Sequence, residues 1–531
     1  MNPSRAERLA AAVLIIGALA VVLVAVPYRM FELDRFFIPK ELVLHLTATA
    51  VAFLVIPGRR EWTWSRIDRF LLAYLALSAL SALLATNGWL ALRGLAITWS
   101  SLLLFWSTRE LARAGLGRVI GIGLAAGAVV GILTALAQAY GVLDSDLFSL
   151  TRAPGGTFGN RNFVAHLAAI ALPTLLATAL AARSRVGYGL AVAGTLLTIA
   201  LLVLTRSRAA WLASFAAGAV FLGLGFLPGG LWRDPVTRRR ILGPILATGL
   251  GAAIALAAPN ALDWRSDTPY VDTLKGLTNY QEGSGRGRLI QWRNTLALVR
   301  QDPLLGVGPG NWAVHYPAHV DAEDPSLDSE GMAANPWPSS DWMTVWSERG
   351  LPALLLLSGA GLLLLWNSVR AWLTGPREAG DLGPLALAST VVATAVVGAF
   401  DAVLLLAVPA LYVWSLAGAL LPVDPFPERR EAGWRSRLLA LTLVVAVGTG
   451  LGWSGWRQVR AMSVISIWGR LDSRAEAAAL DPGSYRIQVL VANSFRRRGR
   501  CKDAVPFARQ AAHLFPDAAE PRSILRACGQ R

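Results

Sequence analysis

LAAAVLIIGALAVVLVAV, residues Leu9 to Val26, is a run of eighteen residues without a charge. A helix of about that length crosses the ~30 Å hydrocarbon core of a bilayer. Arg5 and Arg8 precede it and Pro27-Tyr28-Arg29-Met30 follows it, with no small-x-small cleavage site. The run therefore reads as a first span and not as a signal peptide that is removed.

The same pattern repeats along the chain. Apolar runs near residues 41–57, 68–85, 89–107, 117–140, 162–182, 187–204, 208–227, 241–258, 346–366, 384–400, 403–421 and 438–456 alternate with short charged clusters. The fold class this predicts is an all-α polytopic membrane protein with about 13 transmembrane helices. Composition agrees: the 531 residues are 54% hydrophobic and only 16% charged, with mean hydropathy +0.47, against about 25% charged in soluble domains. A net charge of +16 in a soluble protein would suggest nucleic acid. In a membrane protein it is the arginine that cytoplasmic loops collect, so no nucleic-acid partner is expected. Lysine is confined to Lys40, Lys275 and Lys502, which leaves arginine, a planar fork suited to phosphate, as nearly all of the positive charge.

With the N-terminus inside, the inside loops hold Arg59, Arg60 and Arg66; Arg109, Arg113 and Arg118; Arg183 and Arg185; Arg233 and Arg238 to Arg240; Arg370 and Arg377; and Arg429, Arg430, Arg435 and Arg437. Every one of these loops is basic, and the opposite orientation would place all of them outside. Two regions are then expected outside the cytoplasm: a large loop over residues 259–345 and a tail over 457–531, leaving 1–456 as the membrane domain. In the tail, residues 475–516 read as two amphipathic helices meeting at Arg498-Gly499-Arg500. Tyr485, Ala492, Gly499, Ala504 and Ala511 stand at positions that resemble a tetratricopeptide helix pair, and a plain helical hairpin is the simpler reading. Such a tail packs on the membrane domain or on a protein partner. Cys501 and Cys528, the only cysteines, fall at neighbouring helix ends; an oxidising compartment permits a bridge, and two free thiols remain the other reading.

The arginines that break the inside rule carry the chemistry. Arg161 opens the sixth span, Arg206 and Arg208 sit in the turn between the seventh and eighth, and Arg286, Arg288 and Arg293 follow in the large loop. Snorkelling to headgroups or pairing with loop carboxylates would account for them. An electropositive pocket at the outer membrane surface also would, and guanidinium forks bind phosphate bidentately, so a lipid with a diphosphate headgroup fits it. Residues 155–163, GGTFGNRNF, form a turn before a helix, with Asn160 or Asn162 as its cap. Residues 302–312, DPLLGVGPGNW, predict a rigid folded loop; no strand precedes it, which excludes a nucleotide-binding glycine loop.

Four segments together resemble the superfamily of O-antigen ligases, Wzy-type polymerases and related oligosaccharyltransferases. They are GTFGNRNFVAHLA (Gly156 to Ala168), TRSRAAWLA (Thr205 to Ala213), GRLIQWRNTLALVRQDPLLGVGPGNW (Gly287 to Trp312) and SSDWMTVWSERGLPALLLL (Ser339 to Leu357). A fainter match surrounds Asp401. The likeness covers roughly residues 30–425. It implies a GT-C-type membrane glycosyltransferase of lipopolysaccharide or polysaccharide biosynthesis in the bacterial inner membrane. Such an enzyme takes a glycan from undecaprenyl diphosphate on the periplasmic face, passes it to a sugar hydroxyl of an acceptor glycolipid or glycan, inverts the anomeric carbon, and needs no metal, nucleotide sugar or other cofactor.

Carried over residue by residue, the resemblance makes Arg208 and Arg288 the holders of the diphosphate, helped by Arg161, Arg206, Arg286 or Arg293. Asp341 and Glu348 match acidic positions of the fourth motif, and Trp312, Trp292, Trp337 and Trp342 offer faces for sugar stacking. The family often has His at the head of the fourth motif as the base, whereas Ser339 stands here, and a hydroxyl is no base near neutral pH. Asp341, His315 and His319 are the expected substitutes. His45 and His166 fall within spans and read as packing or interhelical hydrogen bonds, although His166 lies near enough to the outer face to line the same pocket. The rival readings are a non-catalytic scaffold of a polysaccharide assembly complex and a transporter; no inverted repeat or series of mid-membrane acidic residues favours the latter.

Overall fold

The computed structural model describes residues 3–31, 33–143, 149–227, 231, 235–264, 266–276, 279, 283–320, 324–328, 332–374, 381–422, 427–468 and 470–530. They form a helical bundle. Its helices are α1 (Arg5–Leu23), α2 (Asp34–Val55), α3 (Arg66–Leu83), α4 (Gly88–Arg113), α5 (Gly117–Ala139), α6 (Arg161–Leu180), α7 (Arg185–Thr205), α8 (Arg208–Phe226), α9 (Leu242–Ala257), α10 (Gly283–Gln301), α11 (Asp341–Thr374), α12 (Gly383–Phe400), α13 (Ala407–Leu420) and α14 (Trp434–Trp468). Four shorter helices follow: α15 (Leu471–Leu480), α16 (Tyr485–Arg496), α17 (Cys501–Leu514) and α18 (Ala519–Ala527).

Among the described residues, eleven helices are long and apolar enough to cross a membrane. The two other expected spans are helical but differ in kind. α3 opens with Arg66, Asp68 and Arg69. α13 has 14 residues, all but Leu420 buried. It is a central strut against α4, where Gly418 has no room for a Cβ: one would come within 2.3 Å of the Phe105 carbonyl. Small residues let helices approach this closely where no water drives them together. α6 is also central, with 83% of its apolar window buried, whereas α14 has 17% and runs along the edge against α2.

The two ends of the bundle are built differently. At one, the strand Glu61–Trp64 pairs antiparallel with Glu428–Glu431. Beside it Asp68 (α3) and Arg109 (α4) form a buried ion pair at 2.8 Å, and Trp106 Nε1 donates to the same carboxylate at 2.9 Å. A buried charge pair persists where further hydrogen bonds support it, and here Arg109 Nη2 also donates to the Thr63 carbonyl at 3.3 Å. At the other end, Asn87 in the α3–α4 turn receives the large loop and the tail together. Its N–H donates to Asn311 Oδ1 at 2.7 Å, and its Nδ2 donates to the Leu514 carbonyl at 3.1 Å. The loop and the tail therefore share one end, the strand pair occupies the other, and we call these the loop end and the strand end.

The tail is a stack of antiparallel helices. α16 packs on α17, with Ala492, Ala504, Ala508 and Ala511 fully buried, and the chain reverses at Gly499 with φ 71°. Cys501 and Cys528 are joined in a disulfide with Cα atoms 5.3 Å apart.

Candidate functional site

The glycine-rich segment 302–312 is a clamp. Val307 and Gly308 N–H donate to the Ser347 and Glu348 carbonyls at 3.0 and 2.9 Å, and Leu351 N–H donates to the Pro303 carbonyl at 2.9 Å. These bonds require α11 to open where the segment crosses it. It does so at Gly350, whose φ of 81° and ψ of 168° interrupt the helix. A Cβ on Gly350 would lie 2.0 Å from the Leu304 carbonyl oxygen, and one on Gly306, at φ 64°, 2.4 Å from the Glu348 carbonyl carbon. Only glycine fits either position.

The clamp fixes the end of α10, and α10 carries Arg288. Across from it, α7 ends with Arg206 in the left-handed region (φ 51°), and the chain turns at once into α8, headed by Arg208. Arg208 and Arg288 line one cavity of about 30 Å³ with Ala209, Leu212, Gly276, Gly285 and Phe400. Arg208 Nη1 donates to the Gly276 carbonyl. Arg206 and Arg161 lie beside this cavity, holding the Trp264 ring between guanidiniums 4.7 and 5.1 Å from its centroid, and Arg206 Nε donates to Thr273 Oγ1 at 2.9 Å. Burial lowers the Arg206 pKa, with Asp272 opposing the shift.

One residue past Phe400, Asp401 faces His166 of α6. Nε2 lies 3.9 Å from Oδ2, and both side chains are buried. Arg288 is within electrostatic reach of that imidazole, and His166 Nδ1 is buried with no hydrogen-bond partner among the described residues. Trp337 Nε1 donates to Asp401 Oδ1 at 3.3 Å, and its ring packs at a tilt against Phe37 and Phe163. Ser339 adjoins this group and is held through its backbone: its N–H donates to Gln291 Oε1 at 2.8 Å.

Several expected residues have structural partners. Asp341 is fully buried, and its two oxygens accept from the Val403 and Leu404 N–H groups at 2.9 Å. That geometry makes it the anchor of the 402–404 turn, and its own N–H donates to the Asp401 carbonyl at 3.2 Å. Glu348 is buried and accepts from the Trp312 N–H at 3.3 Å, so it serves the clamp and not a substrate. Trp312 has no exposed surface; it stacks on Tyr316 at 4.3 Å and donates to Thr295 Oγ1 at 3.1 Å, so its ring offers no face to a sugar. His315 and His319 lie under the tail. His315 Nε2 is 3.0 Å from Thr86 Oγ1, and His319 Nδ1 is 2.8 Å from the His315 carbonyl. Burial lowers the His315 pKa and nearby Asp517 opposes it. Neither histidine lines the arginine cavity. Asn160 caps α6 by accepting the Asn162 N–H at 3.0 Å, and Arg286 and Arg293 are exposed on α10. Gln291 and the facing of Asp401 on His166 leave no signal in the sequence: both need the tertiary approach of helices far apart in the chain.

Residues 193–358 match the family model described as O-antigen ligase. The chain carries an O-antigen ligase domain. The matched segment runs from α7 through α8 and the large loop into α11, and so contains Arg208, Arg288, the clamp and Ser339. His166 and Asp401 flank it on either side. No curated protein matches the chain. Multi-pass membrane architecture and this domain together support glycan transfer of the O-antigen ligase or polymerase kind.

Proposed function

We propose that this protein transfers a glycan from undecaprenyl diphosphate to an acceptor sugar hydroxyl, at the loop end of the bundle and on the periplasmic face of the inner membrane. The observation that carries the reading is that Arg208 and Arg288, from separate helices, line one cavity beside the Asp401–His166 pair. Two guanidiniums neutralise a diphosphate as it departs, and a leaving group's developing charge is where fixed cations act most strongly. The acceptor oxygen attacks the anomeric carbon, the bond to the diphosphate oxygen breaks, and the carbon inverts. The hydroxyl proton passes to His166, whose imidazolium Asp401 stabilises; the pair closes from 3.9 Å when substrate is bound. The cavity admits about one water as it stands, so the diphosphate must replace the Gly276 carbonyl as the partner of Arg208. The N-terminus lies in the cytoplasm by the basic loops at the strand end. The tail, read as a tetratricopeptide-like unit, is periplasmic, where its disulfide is stable.

The test uses purified full-length protein with a labelled lipid-diphosphate glycan and an acceptor. Released undecaprenyl diphosphate supports the transferase. None released by an intact, folded protein would leave the scaffold reading. In cells lacking the protein, loss of all capped lipopolysaccharide identifies a ligase, and single-repeat capping a polymerase.

A further inference from the structure

A second cavity, far larger than the arginine cavity, lies at the strand end, away from the proposed chemistry. It encloses about 980 Å³ between the start of α5, the end of α6, the end of α11 and the start of α12. α12 measures its distance from the arginine site: Gly383 at one end of that helix lines this cavity and Phe400 at the other lines the first. From the first to the last of the eighteen residues of α12, at a rise of 1.5 Å per step, the separation is about 25 Å, close to the thickness of the hydrocarbon core.

The lining is divided in character. Arg118, Arg183 and Arg370 stand around it, and Arg118 and Arg183 are within electrostatic reach of one another. Asp381 also lines it, but its Oδ1 caps α12 by accepting the Gly383 N–H at 3.1 Å. Among the described residues, no carboxylate lies within ion-pair distance of any of these three arginines. Ile122, 41% exposed on the bundle surface, and Leu420 supply an apolar wall. Three guanidiniums without a carboxylate partner among the described residues, Arg118 also donating to the Ala181 carbonyl, stand over an apolar wall at the end of a bundle where lipid headgroups lie, and so match an anionic amphiphile. Basic pockets between membrane helices on the cytoplasmic side hold phosphate headgroups for this reason.

We propose that this cavity binds the phosphate of an anionic phospholipid, with its acyl chains along Ile122 and Leu420. It is a site separate from the glycan-transfer site, and it does not depend on that reading. Full-length protein in neutral detergent is titrated with phosphatidylglycerol, phosphatidylcholine or glycerol 3-phosphate, and binding is read by native mass spectrometry and thermal shift. Phosphatidylglycerol should bind, and the triple variant Arg118→Gln/Arg183→Gln/Arg370→Gln should weaken it by about a hundredfold, at about fivefold per guanidinium. Arg183 is exposed in a turn, so Arg183→Gln alone should lose about fivefold with the unfolding temperature unchanged, which guards against misfolding of the triple variant. Arg526→Gln in the tail should bind as the parent does. Equal affinity for phosphatidylcholine, or unaltered binding by the folded variants, would overturn the proposal. Glycerol 3-phosphate binding as tightly as the lipid would replace the lipid with a soluble phosphate ester.

Discussion

His166 Nε2 stands 3.9 Å from a carboxylate oxygen of Asp401, and both groups are buried next to a cavity lined by two arginines. A carboxylate that orients an imidazole and steadies its charged form typically changes the rate by two to four orders of magnitude without holding the fold together. Asp401→Asn is therefore expected to slow glycan transfer about a hundredfold or more while the unfolding temperature stays near that of the parent. Asp341→Ala should show the reverse emphasis. It strips two buried N–H groups of their acceptor, at about 1–3 kcal/mol each, and so should lower the unfolding temperature. Equal thermal losses in the two variants would remove the distinction drawn between them.

Arg288 and Arg208 meet from separate helices, whereas Arg286 is two residues from Arg288 and exposed. If the shared cavity holds the leaving diphosphate, Arg288→Ala and Arg208→Ala should each lower turnover by about two to three orders of magnitude, as loss of a transition-state charge partner does. Arg288→Lys should recover only part, because an ammonium cannot reproduce the bidentate fork. Arg286→Ala should retain surface polysaccharide. A glycan ladder on a gel, with the amount of membrane-inserted protein measured alongside, reads all four. An intact ladder from Arg288→Ala would end the assignment.

The bundle was legible in the sequence because apolar runs and arginine clusters report directly on the bilayer. Arg206, Arg208 and Arg288 stood out because they violate that same rule. What could not be read was which polar residue faces which. Asp341 and Glu348 look like active-site acids in a linear motif, yet the first holds the 402–404 turn and the second holds the Trp312 backbone. Trp312 looks like a sugar platform and is sealed in the loop's own core. The cause is the glycine clamp: Gly306 and Gly350 draw 302–312 against α11, and a close approach between segments so far apart leaves no periodic trace in either of them.

That clamp yields its own expectation. Alanine at Gly350 would need a backbone conformation that L side chains rarely adopt, with its Cβ 2.0 Å from the Leu304 carbonyl oxygen. Gly350→Ala should destabilise the protein by at least about 2 kcal/mol, from backbone strain and displaced clamp bonds together. Limited proteolysis should then cut the large loop faster than in the parent. Gly361→Ala, in the same helix with open space around its Cβ, is the control and should be neutral or slightly stabilising. Identical digestion of Gly350→Ala and parent would show that the clamp does not hold the loop.

The tail's docking should depend on pH through Asp481. This carboxyl sits at the tail's contact with the membrane domain, where Gly483 packs against Trp89. Burial pushes its pKa up from 3.8 to about 6, opposed by Arg93 and reinforced by Asp34, with Arg457 the other charge nearby. The folded protein thus holds this proton more tightly than the unfolded chain does. The contribution to stability is complete below about pH 4 and is lost as the pH rises towards 6; above that, a charged group stays buried at a cost of roughly 2–3 kcal/mol. Asp481→Asn keeps an acceptor for the Gly483 N–H without the charge. It should raise resistance of the tail to proteolysis at pH 7 and differ little from the parent at pH 4. A gain of equal size at both pH values would point to packing, and no gain at pH 7 would show that Arg93 already compensates the charge.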